Sequence, residues 1–174
     1  MERKKLFNNR GDITDMMVLL IVLFILAVGM IIIVYTITSI VGGLNVSGLN
    51  ETTETAQAIE GLDNFGQIMI QRGFLLLFTG LIISVLITSF FANTHPIWLF
   101  LYIIMLGITI LAGVYLGSAY QEIQTLNILS DVIDSQPMIN FVMNNILTII
   151  SAVGILSLII VFAKFKSKGG DMQI

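Results

Sequence analysis

The sequence predicts an all-α integral membrane protein: four transmembrane helices arranged as two antiparallel hairpins, with short amphipathic connector helices. Three observations carry that prediction. No Asp, Glu, Lys or Arg occurs between Asp15 and Glu51, between Arg72 and Glu122, or from Ser135 to Ala163. Those charge-free stretches hold 60 of the 76 Leu, Ile, Val and Phe residues. An unpaired charge in hydrocarbon is costly, so long apolar runs that exclude charge mark the bilayer as solvent. Finally, charged residues make up 11% of the chain, well below the roughly 25% of soluble domains. The whole chain, 1–174, reads as a single transmembrane domain.

The first span is expected at about 16–41. Asp12 and Asp15 lie three residues apart just before it, suited to meet the free N–H groups at the helix start. At about 1.5 Å per residue, 26 residues reach roughly 39 Å, more than the ~30 Å of hydrocarbon, so the helix must tilt or project. Gly42-Gly43 is its expected stop. The basic residues Arg3, Lys4, Lys5 and Arg10 ahead of this run imitate a signal peptide. The run is much longer than the roughly 7–15 residues of a signal core, and no small-residue cleavage pattern follows, so it is read as a retained span.

From Leu44 to Arg72 the chain turns acidic, with Glu51, Glu54, Glu60 and Asp63. Ala58, Ile59, Leu62, Phe65, Ile68 and Met69 recur at helical spacing. That pattern predicts a short amphipathic helix lying on the membrane or running into the next span, with a plain solvated connector as the alternative. The second span is placed at about 73–92. Asn93-Thr94-His95-Pro96 then turns the chain into the third, at about 96–118, and Pro96 suits a first helical position. Trp98, Tyr102 and Tyr120 are expected as interfacial anchors. Gly113 and Gly117 share one helix face and are expected to pack against another helix, within the chain or in a second copy.

A second acidic connector follows, in which Ile123, Leu126, Leu129 and Ile133 line up opposite Glu122, Gln124, Asp131 and Asp134. Pro137 ends it, and the fourth span is placed at about 138–163, with Asn140, Asn144 and Asn145 at headgroup level. Seven of the eight Lys and Arg lie near the termini (Arg3, Lys4, Lys5, Arg10, Lys164, Lys166, Lys168), and Arg72 alone lies in a connector. The positive-inside rule therefore places both termini on the cytoplasmic side, as an even number of spans requires.

Several function classes find no footing. A net charge of −3 without a basic stripe argues against specific nucleic-acid binding. No cysteine and a single histidine, His95, leave no metal centre to build, so no metal and no cofactor are expected. His95 in its tight turn is read as a cap residue rather than a pH switch. The hydroxyls Ser84, Thr88, Ser89, Ser151 and Ser157 are scattered and suit helix packing, so no catalytic residue and no enzyme activity are expected. Arg10-Gly11-Asp12 is a chance tripeptide beside a span, and Asn45 and Asn50 fit glycosylation acceptors of undecided use.

The leader Arg10-Gly11-Asp12-Ile13-Thr14-Asp15 into a long span resembles small multi-pass membrane proteins of bacterial and archaeal viruses that carry a membrane beneath an icosahedral shell. So do the hairpin from Leu81 through Thr94-His95-Pro96 to Tyr102 and the run Leu158-Ile-Ile-Val-Phe-Ala-Lys164. The resemblance implies a structural component without catalysis, located in the internal membrane of a virion or in a prokaryotic cell membrane. The expected partners are the lipid bilayer and other membrane or capsid proteins, with a homo-oligomer as a further possibility. A pore-forming protein of the holin type and an accessory subunit of a larger membrane complex are the alternatives.

Overall fold

The computed structural model describes residues 14–48, 52–91 and 96–169. Every regular element among them is helical: α1 (Thr14–Val46), α2 (Thr53–Asn64), a π-helical turn (Phe65–Met69), α3 (Ile70–Phe91), α4 (Pro96–Gln124), α5 (Asn127–Asp134), α6 (Pro137–Asn144) and α7 (Ile146–Gly169). Four helical stretches are long and apolar enough to cross a membrane: Met16–Val46, Thr53–Phe91, Leu99–Gln124 and Ile146–Lys164.

α1 buries one stripe, Leu20, Leu23, Ala27, Ile31 and Val34, at steps of three and four, and this stripe supplies much of the bundle core. Contrary to expectation, α1 does not stop at Gly42-Gly43. Its terminus comes after Val46, where Gly48 adopts φ 72°, the left-handed conformation that glycine takes at least cost. A glycine inside a helix costs about 1 kcal/mol relative to alanine. That cost is small against propagation of a helix already formed, and the Ser47 N–H still donates to the Gly43 carbonyl at 3.1 Å.

The amphipathic stretch that follows is neither a separate surface helix nor a plain connector. Thr52 caps α2, its hydroxyl accepting from the Thr55 N–H, and the helix passes through the π turn directly into α3. The result is one rod over Thr53–Phe91. Gly66, in the π turn, lies against Ile37 of α1; a Cβ there would sit 3.0 Å from the Ile37 methyl. Further along, Leu81 and Val85 share a groove with Val18, Leu19 and Val22, so α1 and the rod run in opposite directions.

α4 extends to Gln124, six residues beyond the expected 118. The predicted fourth span is two helices with a break at Asn145. The Asn145 side-chain amide donates to the Phe141 carbonyl at 2.8 Å, the local backbone bonding by which Asn interrupts a helix. α4 packs on α7, α7 on α3, and α1 on both α3 and α4. Asp12, Asn50, His95 and the 92–95 turn lie outside the described residues.

Candidate functional site at the acidic end of the bundle

The packing gathers α2, the π turn, α5 and α6 around the C-terminal ends of α1 and α4. Glu54, Glu60 and Asp63 on α2, Glu122 on α4 and Asp131 and Asp134 on α5 thereby come to one end of the molecule. The opposite end carries Lys164 and Lys166. Among the described residues, no three carboxylate or imidazole groups approach closely enough to hold a metal ion.

Amide side chains hold the acidic end together. Gln124 of α4 donates to the Asn140 side-chain oxygen at 2.5 Å and to that of Asn144 at 3.2 Å, and Asn144 donates to Asn140 at 2.7 Å. One turn earlier in this polar row, Gln136 precedes Pro137 at the start of α6 and is wholly buried. Its amide nitrogen lies 3.4 Å from the carbonyl oxygens of Gly66 and Gln67. A π turn displaces backbone carbonyls from the regular α-helical ladder, and a buried donor from a neighbouring helix compensates for that. Gln67 itself donates to both carboxylate oxygens of Asp63, at 3.0 and 3.1 Å. Among the described residues, the buried Gln71 Nε2 and Gln136 Oε1 have no hydrogen-bonding protein partner.

The bundle interior uses hydroxyls and glycines instead. Ser89 of α3 and Ser157 of α7, both buried, share a hydrogen bond, and Ser89 also donates to the Val85 carbonyl at 2.7 Å. Tyr102 donates to the Gly154 carbonyl and to the Met16 sulfur, each at 3.4 Å. A Cβ on Gly113 would lie 3.3 Å from a Leu20 methyl, and one on Gly117 would lie 3.5 Å from Ile146. The small-residue face of α4 is thus filled by α1 and α7 of the same chain. Gly154 makes the closest approach of all, with Leu106 occupying the space a side chain would need.

Two of the expected interfacial anchors lie elsewhere. Tyr102 and Tyr120 are 8% and 0% exposed, their rings packed inside the bundle rather than presented to headgroups. For Tyr102 the reason is a partner inside the bundle, since its hydroxyl reaches the Gly154 carbonyl. The side chain of Trp98 lies outside the described residues, as do Arg3, Lys4, Lys5, Arg10 and the Lys168 side chain. Lys164 donates to the Phe90 carbonyl at 2.8 Å and lies 6.0 Å from the Phe90 ring centroid. It therefore caps the C-terminal end of α3, where a cation is favoured.

Sequence reasoning missed Gln136, Gly154, Gly66 and the Ser89–Ser157 pair. Only Gln136 offered a signal, as a polar residue directly before a helix-starting proline. Gly154 has no small residue four positions away, and nothing in the chain indicates that Ser89 and Ser157 meet.

Fold and site together define a class: a helical bundle with four membrane-length apolar rods and one polar, acidic end. No protein-family model, curated protein or solved structure matches the chain.

Proposed function

We propose that this protein is a structural multi-pass membrane protein. In this reading its four spans form two antiparallel hairpins, its amphipathic connectors lie together on one face, and both termini lie on the cytoplasmic side. It populates the membrane and docks other proteins through the acidic end and the basic termini. The layout resemblance to virion-membrane proteins makes an internal virion membrane the specific location to test, beside a prokaryotic cell membrane.

One observation carries the structural reading. The buried polar side chains among the described residues, Ser89, Thr109, Gln136 and Ser157, hydrogen-bond to backbone or to one another across helices. Groups committed in this way serve packing. The glycine face of α4, the natural surface for self-association into a pore, is already occupied by Leu20, Leu147 and Ile146.

The test is reconstitution of the purified full chain into dye-loaded phospholipid vesicles. The structural reading expects the vesicles to keep their dye at every protein density tried. Release that rises steeply with protein density would replace it with the pore-forming alternative.

A further inference from the structure

Arg72 is the only Lys or Arg between Arg10 and Lys164. It is exposed, in the first turn of α3. Since Gly66 lies on Ile37 and the two helices run oppositely, six residues along the rod bring Arg72 about 9 Å further, level with Ile31 of α1. That level falls within the charge-free run of α1, where Ile32 and Ile33 are each about half exposed. On its own rod, Arg72 belongs to an exposed stripe of Phe65, Ile68, Met69 and Leu76. The stripe continues toward the basic end through the exposed Gly80 and Ile83.

A guanidinium in such a stripe needs an anion, because an unpaired charge against apolar surroundings is costly. The protein does not supply one: among the described residues Arg72 has no ion pair or hydrogen bond. The nearest acid on its rod, Asp63, is about two and a half turns away and is engaged by Gln67. Phosphate suits the fork of an arginine, which binds two oxygens side by side.

We propose that Arg72 is a phospholipid-phosphate site, gripping one headgroup in the leaflet at the acidic end while that lipid's acyl chains lie along Leu76, Gly80 and Ile83. The site rests on the membrane reading above.

The experiment compares the full-length protein with R72Q and R72K after reconstitution in vesicles of phosphatidylcholine and phosphatidylglycerol. Lipids retained after detergent release are counted by native mass spectrometry, and circular dichroism verifies that each variant is folded. The expected result is one retained phospholipid per chain in the wild type, at least tenfold less occupancy in R72Q, and an intermediate value in R72K. Equal retention in wild type and R72Q overturns the proposal. So does displacement of the lipid by millimolar inorganic phosphate alone, which would mark a free-anion site, or a dimer lost in R72Q, which would mark a carboxylate of a second copy as the partner. A wild-type chain washed from membranes by alkaline carbonate would instead overturn the membrane reading itself.

Discussion

The seam of α7 against α3 and α4 and the acidic end solve the same problem with opposite chemistry. Along the seam, Gly113, Gly117 and Gly154 let side chains of neighbouring helices approach the backbone, and a few hydroxyls bond across the gap. At the acidic end, the connection is made by long amides: Gln124 to Asn140 and Asn144, and Gln136 to the carbonyls of the π turn. In the proposed membrane setting, the difference follows from the surroundings. Where lipid competes for contact, helices gain from close packing more than from burying apolar area, because lipid tails are as apolar as the core. Where the chain re-enters a polar region, irregular backbone must be satisfied, and amides that both donate and accept are suited to it.

The sharpest way to break the seam is to fill Gly154. A leucine there has no room beside Leu106, so Gly154→Leu should destabilise the bundle by about 3 kcal/mol, the upper range for overpacking, in thermal melts in detergent. Adding Leu106→Ala should recover much of that loss, which a defect elsewhere in α7 would not allow. The corresponding change at the acidic end is Gln136→Leu. It strips the donor from two carbonyls and should cost about 2 kcal/mol, with faster amide hydrogen exchange confined to the π turn and the start of α3.

Smaller effects refine the contrast. Gly42→Ala and Gly43→Ala should each stabilise the protein by roughly 0.5–1 kcal/mol, because both positions are helical and a Cβ meets nothing within 4 Å. A double-mutant cycle on Ser89→Ala and Ser157→Ala should yield a coupling of about 0.6 kcal/mol, typical of interhelical hydrogen bonds in membranes. Coupling indistinguishable from zero would remove the serine pair from the account of the seam.

These expectations also show where sequence reasoning reaches its limit. The four apolar rods are legible because exclusion of charge is a property of each segment alone. Their ends are less so. Gly42-Gly43 reads as a stop by propensity, yet a helix already formed propagates through both to Val46. Asn145 reads as one more polar residue near a headgroup, whereas its side chain bonds to the Phe141 carbonyl and divides the span. Gly113 and Gly117 announce a packing face, but only the three-dimensional contacts identify Leu20 and Ile146 as what fills it. Tyr102 and Tyr120 suit an interface by chemistry and are buried by geometry. The polar end is the least legible, since its amide contacts join residues 16 to 70 positions apart.

The central claim is that the acidic and basic ends lie on opposite faces of a bilayer, with both chain ends on the basic side. The chain has no cysteine, so single substitutions can be labelled cleanly with a membrane-impermeant maleimide. Asn8→Cys, Ser130→Cys and Ser167→Cys sample the first basic segment, α5 and the end of α7. The account predicts that intact cells label Ser130→Cys alone and that permeabilised cells label all three. Labelling of Asn8→Cys and Ser167→Cys from opposite faces would contradict it.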